Sequence, residues 1–255
     1  MRELSKLLFE LSNEDRLKIL LELKKSPMKL SRVSEKFEYT VPETARNMTR
    51  LLEIDLIAKD TDGNFHLTAY GEASLQLLEN FEFISKNAVY FKTHTISNLP
   101  PEYAASIGCL KKSEFISQFT EAMFNGENMI REAKEFVWIS VDEILASSLP
   151  IFMEAINRGI DLKKLMPRNA VIPAGILKLA NDPAFDRAAR AKKAESRYLD
   201  QIDFFLVMSE KEVSIAFKNS EGVFDHVGSF RSTDEAAIEW TKSLFLNYWE
   251  KAKRE

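Results

Sequence analysis

The sequence is poor in the residues that build covalent or metal-held scaffolds. Cys109 is the only cysteine among 255 residues. No disulfide can therefore close within the chain, and a reducing cytoplasm is the expected compartment. Three histidines, His66, His94 and His226, stand far apart. A zinc-type site wants about four ligands, usually from clustered Cys and His, so neither metal nor cofactor is expected. The eight glycines form no phosphate-cradling loop. No apolar run approaches the roughly 18–20 residues that span a bilayer, and no signal peptide opens the chain, so no membrane partner is expected. A positive charge excess is missing as well. The formal net charge is −4, unlike proteins that coat nucleic acid by charge alone.

What is present is an ordinary globular composition, 45% hydrophobic and 29% charged. The length admits one large domain or two small ones. Charge is unevenly spread: residues 1–68 sum to 0, 69–157 to −6, 158–197 to +6 and 198–255 to −4.

The most informative stretch is 39–60. Residues 40–52 read as a helix with Thr40 as cap and Pro42 in the first turn. Val41, Met48, Leu51 and Leu52 fall on one side; Glu43, Arg46, Asn47, Thr49 and Arg50 fall mostly on the other. Such a polar face suits the DNA major groove, because those side chains can pair with base edges or phosphates. Alone it equally fits a solvated surface helix. Its neighbours decide. Leu4, Leu7, Leu8 and Leu11 space a first helix; Leu17, Leu20 and Leu21 a second, with Ser12 and Asp15 as a weak capping box; Leu30, Val33 and Phe37 a third. Segments 57–60 and 65–68 flank Thr61-Asp62-Gly63-Asn64, strong hairpin chemistry. A helix-turn-helix followed by a hairpin is a winged helix, expected over 1–68, with Lys59 and His66 near the DNA backbone.

From 69 to about 91 a helical stripe of Leu75, Leu78, Phe81, Ile84 and Phe91 returns. It reads as a dimerisation helix, since one winged helix reads half a site and two-fold dimers match palindromic operators. Packing on its own domain is the alternative. A loop at 94–101 closes a linker, 69–98. Beyond it helices are expected at 112–131 and 148–158, strands at 135–141, 162–166, 203–209 and 213–217, and mixed helix and loop at about 173–194. Ser232 with Glu235 caps a last helix. The fold class is thus α/β overall: a mostly α N-terminal domain, then a C-terminal α/β domain with a mixed sheet over 99–255.

Short pieces in a specific order carry a resemblance across essentially the whole chain. They are Arg50-Leu51-Leu52-Glu53 with Leu56-Ile57, Leu67-Thr68-Ala69-Tyr70-Gly71, Leu99-Pro100-Pro101-Glu102, Arg158-Gly159-Ile160, Met166-Pro167-Arg168, Ser196-Arg197-Tyr198-Leu199, Phe224-Asp225-His226-Val227-Gly228 and Tyr248-Trp249. The chain resembles the archaeal methanogenesis-regulator-like transcription factors, which join an ArsR-type winged helix to a C-terminal domain. The resemblance implies a cytoplasmic, sequence-specific, dimeric regulator whose C-terminal domain receives a signal and is distantly like phospholipase D. Metal-sensing arsenical-repressor relatives use paired Cys and His ligands, which this chain lacks. Phospholipase D chemistry needs a His with a Lys two residues on, twice; here Thr68, Ile96 and Gly228 stand in that place. No enzymatic activity is expected, and Asp142/Glu143 and Asp200/Asp203 read as surface charge.

The expected partners are a double-stranded DNA operator, a second copy of the chain and a small, anionic effector. Three features point to the anion. Segment 158–197 is the basic one. Ligands of open α/β sheets lie beyond the carboxyl ends of strands. Trp138, Ser140, Asp142, Arg168, Arg197 and Tyr198 are expected at that rim, with Arg168 and Arg197 as forks for carboxylate or phosphate. Lys178, Lys192 and Lys193 could instead be a solvated face, or touch DNA. Two other readings remain open: a metal-independent α/β enzyme domain fused to a winged helix, and a winged helix that binds protein.

Overall fold

The computed structural model describes residues 1–143, 148–170, 183, 187, 190–191, 193–225 and 228–254. The expected behaviour of Lys178, Lys192 and His226, and most of the segment 173–194, lies outside them. The chain divides into two compact units, Met1–Phe81 and Glu82–Glu255.

In the first unit, α1 (Arg2–Leu11), α2 (Glu14–Leu23), α3 (Leu30–Phe37) and α4 (Val41–Glu53) precede a hairpin of β1 (Ile57–Lys59) and β2 (Phe65–Leu67). Asn13, not the expected Ser12, caps α2, accepting from the Arg16 N–H at 3.0 Å. Ser12 instead closes α1, donating to the Phe9 carbonyl at 2.9 Å. Thr40 caps α4 through the Glu43 N–H at 3.4 Å. Ile19, Leu20, Val33, Met48, Leu51, Leu56, Ile57 and Phe65 make the core, and a buried hydroxyl pair, Ser34 and Thr44 at 2.9 Å, ties α3 to α4. The hairpin turn is closed by the Asp60 carboxylate, which accepts from the N–H groups of Asp62 and Asn64 at 2.9 and 2.8 Å; Gly63 supplies the left-handed φ of +84°.

Helix α5 (Ala69–Lys86) follows at once. The Thr68 hydroxyl accepts from the Gly71 N–H at 3.0 Å. Gly71 is there because a Cβ would stand 2.1 Å from the Leu56 carbonyl oxygen. The helix expected to run to about 91 breaks at Asn87, whose side-chain amide donates to the Phe83 carbonyl at 2.8 Å and competes with the backbone ladder; α6 (Ala88–Phe91) is a separate turn.

The second unit continues with α7 (Pro101–Ala104), a 3₁₀ turn at Ile107–Leu110, β3 (Glu114–Ile116), α8 (Phe119–Glu132), β4 (Phe136–Ser140), α9 (Leu149–Asn157), β5 (Asp161–Pro167), β6 (Ala194–Leu199), β7 (Phe204–Ser209), β8 (Val213–Phe217), β9 (Ser229–Ser232) and a last long helix, α10 (Glu235–Lys251). The sheet order is β3-β9-β8-β7-β4-β5-β6. The neighbours β4, β5 and β6 are parallel and the other pairs antiparallel, so the sheet is mixed as expected.

The helix expected over 112–131 thus contains a strand, and two of the strands, β6 and β9, were not anticipated. The three residues of β3 and four of β9 show too little alternation to be read without their partners, and Glu195-Ser196-Arg197 makes β6 polar on both faces. Arg197 and Tyr198, expected at the rim beyond the strand ends, lie inside β6. Asp234 stands at the N-terminus of α10; the expected cap Ser232 accepts from the Asp234 N–H at 3.1 Å.

Alternation gives the sheet two faces. On one, Phe204, Leu206, Met208, Val213, Ile215, Phe217 and Phe230 pack with Trp240, Leu244 and Phe245 of α10. On the other, Val137, Ile139, Leu162 and Met166 meet Ile130 of α8 and Ile151, Ala155 and Ile156 of α9.

Gly71→Ala should destabilise the N-terminal unit by about 1–3 kcal/mol, because the added methyl meets backbone that cannot yield. Thermal unfolding followed by circular dichroism measures it; an unchanged midpoint would mean that α5 does not need this close approach.

Candidate nucleic-acid interface and effector cavity

Helix α4 puts Thr44, Met48 and Leu51 inward. Arg46, Thr49 and Arg50 are exposed, Glu43 and Asn47 partly so, and the cap Thr40 is exposed at the start of the helix. An open cleft beside this face is lined by Phe9, Asn13, Arg16, Arg46, Asn47, Thr49 and Arg50. The two arginines differ. Glu10, 4% exposed, pairs with Arg16 Nε at 2.9 Å and with Arg50 Nη2. Arg50 therefore has an internal carboxylate partner, whose hydrogen bond raises its pKa further; Arg46 makes no ion pair with a described residue. Lys59 is exposed on β1, its ammonium 5.4 Å from the Phe65 ring centre, and His66 is half-buried on β2.

The five residues of the expected dimer stripe are not on one free face. Leu75 and Leu78 pack into the core of the first unit. Ile84 and Phe91 pack against that of the second. Phe81 is 66% exposed, and Leu77, one turn before it, 65%. With Tyr70 they form an exposed row on α5, of which the expected stripe held only Phe81.

The six residues expected at the ligand rim divide between three places. Trp138, Ser140 and Arg197 turn toward the α10 face. Trp138 stacks on Phe245 with ring centres 5.2 Å apart, under the Lys163 ammonium at 4.2 Å. The buried Ser140 hydroxyl donates to the Phe204 carbonyl at 3.0 Å. Arg197 lies over the Trp249 ring at 4.5 Å, donates to the Trp249 carbonyl at 3.0 Å and pairs with Glu195 at 2.6 Å. Glu195 also takes Arg254, and the two guanidiniums hold its carboxyl down at about 2. Tyr198 is on the opposite face, against the α8 and α9 side. Asp142 and Arg168 follow the carboxyl ends of β4 and β5. Arg168 pairs with exposed Asp200 at 3.1 Å, and Asp142 Oδ1 is buried with no hydrogen-bond partner among the described residues.

A cavity of about 160 Å³ lies elsewhere, and none of those six residues lines it. It sits on the sheet face toward α8, walled by Phe119, Met123 and Gly126 of α8, Phe152 of α9, Ile139, Phe205 and Val207 of the central strands, and Ser214, Ala216 and Ser229 of β8 and β9. The reason is in the strand Val213-Ser214-Ile215-Ala216-Phe217. Its large residues fill the α10 face and its small ones leave room on the other. That alternation of size was the available signal in the sequence. One wall, at Asp225, is tethered: His94 Nε2 is 3.1 Å from Asp225 Oδ1, and its ring stacks on Tyr90 at 3.8 Å. Backbone bonds Thr95 N–H to Lys218 and Ser220 N–H to Thr93 fasten the same loop to the segment after α6.

No group of three or more metal-ligating side chains occurs among the described residues, and no described helix is long and apolar enough to cross a membrane. On the cavity-side face of β5, burial pulls the half-buried Lys164 ammonium down to about 8.

Comparison with known proteins gives the following. The family model for the middle domain of the methanogenesis regulatory protein FilR1 matches residues 118–251, more than half of the chain. No curated protein matches the sequence. Among solved structures, the archaeal chromatin protein TrmBL2, described with a novel mode of DNA binding, is 16% identical with a TM-score of 0.46, covering 95% of this chain and 94% of its own. NucT from Helicobacter pylori (13%, TM-score 0.43) covers 56% of this chain and 99% of its own. The phospholipase D family member Nuc from Salmonella typhimurium (9%, TM-score 0.41) covers 56% and 96%.

Lys164→Met should raise stability at neutral pH. The buried ammonium is disfavoured in the fold, so its cost is full below about pH 8, fades as the unfolded-state value near 10.5 is approached, and vanishes above it. Denaturant unfolding of both chains across that range checks it: the gap should close on the alkaline side.

Proposed function

The chain belongs to the family of the methanogenesis regulatory protein FilR1, and from that premise we propose that it is a sequence-specific, DNA-binding transcriptional regulator whose C-terminal unit senses a small molecule. The observation that carries the reading is helix α4: capped by Thr40, anchored behind by Met48 and Leu51, and carrying Arg46, Asn47, Thr49 and Arg50 beside an open cleft. The wing hairpin follows it directly, as major-groove readers of this kind require. Arg46 is the base-reading candidate. Arg50, paired with Glu10, is the phosphate candidate, with Glu43, Thr40, Lys59 and His66 as candidate flanking contacts. Since residues 1–68 are net neutral, non-specific binding should be weak and the salt dependence shallow.

The protein works in the cytoplasm as a homodimer, without catalysis. The exposed row Leu77 and Phe81 on α5 supports the dimer; isolated apolar residues are ordinary on a surface, but two large ones a turn apart on one helix face favour a partner. The cavity supports the sensor. The apolar cavity, rather than the expected rim at Arg168 and Arg197, is the preferred effector location, because those two arginines already hold Asp200 and Glu195.

Arg46→Ala should weaken binding to the gene's own upstream DNA by about 1–3 kcal/mol if Arg46 pairs with a base. Fluorescence anisotropy titrations measure it. Unchanged affinity would remove Arg46 from the interface, and no binding by the unaltered chain would remove the DNA reading.

Leu77→Glu with Phe81→Glu should yield folded monomers, each buried Leu or Phe being worth about 1.5–3 kcal/mol. Light scattering reports the mass; a persisting dimer would place the interface on another surface.

A further inference from the structure

We propose that the cavity beneath α8 binds a small, uncharged, largely apolar molecule, of about the size of benzene or indole. The proposal deepens the reading of the C-terminal unit as a sensor and rests on it.

The volume is the first ground. Protein interiors are packed so closely that voids larger than a water are few. This one, partly open to solvent, is about 160 Å³, and an engineered, fully enclosed apolar cavity of ~150 Å³ takes up benzene. The lining is the second. Ile139, Phe152, Phe205, Val207 and Met123 present carbon to the space. The two buried hydroxyls on its floor, Ser214 and Ser229, bond each other at 3.0 Å. They are thus satisfied without a ligand, while a hydroxyl keeps acceptor capacity for one donor such as an indole N–H.

Charge is the third ground. The ionisable residues among the described lining are Glu127, Glu143 and Asp225, with no lysine or arginine. Glu127 faces Arg131 at 3.6 Å, and Asp225 faces His94. An anionic ligand would meet like charge, with no lysine or arginine among the described lining residues to grip it, which selects against carboxylates and phosphates. This sets the chemistry apart from the anionic effector that the basic segment 158–197 suggests.

The test uses the full chain without DNA, so that it stands or falls separately from the DNA reading. Indole and benzene are titrated against the protein, with benzoate as the anionic counterpart, by calorimetry and by the shift of the thermal midpoint. Ala216→Leu and Val207→Phe each fill the space from a different strand, so that one variant suffices should the other fail to fold. Indole or benzene should bind saturably and raise the midpoint. Benzoate should bind at least about tenfold more weakly, and a folded filling variant should lose about tenfold or more in indole affinity. Three results would each overturn the proposal: no binding of indole or benzene at millimolar concentration, benzoate binding as tightly as indole, or indole binding undiminished in the folded filling variants.

Discussion

Strand alternation in the seven-stranded sheet is the constraint on which the C-terminal unit depends. Successive residues face opposite sides, so the choice of large or small side chain at every second position sets what each face can hold. Phe204, Leu206 and Met208 of β7 and Val213, Ile215 and Phe217 of β8 commit one face to α10, where Trp240, Leu244, Phe245 and Tyr248 complete a continuous core. The interleaved Ser214 and Ala216 cannot reach α8, and a cavity remains. One face is filled throughout, while the other packs on α8 and α9 and keeps open space over Ser214 and Ala216. The wall at Asp225 is bonded to His94, and the same loop is pinned to Thr93 and Thr95. The cavity wall at Asp225 is thus bonded to the segment that directly follows α6.

The N-terminal unit depends on a different device. A nearly buried carboxylate, Glu10, is balanced by two guanidiniums. Charges are costly to bury alone, so Glu10 fixes where Arg16 and Arg50 must be. The polar face of α4 is thereby partly preset, with Arg46 left to the solvent.

Much of this was legible in the residues. The helix cap at Thr40, the turn Asp60–Asn64 and the polar face of α4 all rest on local chemistry, which sequence carries directly. Two of the short motifs behind the family resemblance prove to be fold chemistry. Thr68 and Gly71 start α5 against the Leu56 carbonyl; Gly159 takes a φ of +81° after α9 while Arg158 donates to the Ile130 carbonyl at 2.8 Å. What could not be read was long-range. β3 and β9 are too short to show a period and exist because they pair with each other and with β8. Arg197 looked like an anion fork, but sequence could not show that Glu195, two residues away on the same strand face, already holds it. Leu75 and Leu78 carried the apolar spacing that marks a partner-facing stripe, but the partner is their own core.

The central claim is that a chain whose residues 1–68 are net neutral reads DNA by sequence rather than by charge. It is tested most directly by selecting from a random DNA library with the purified full chain and sequencing what is retained. A sequence-reading dimer predicts enrichment of a two-fold symmetric motif with half-sites about one helical turn, roughly 10 base pairs, or a multiple of it apart. Recovery without any enriched motif, or no retention at all, would contradict it.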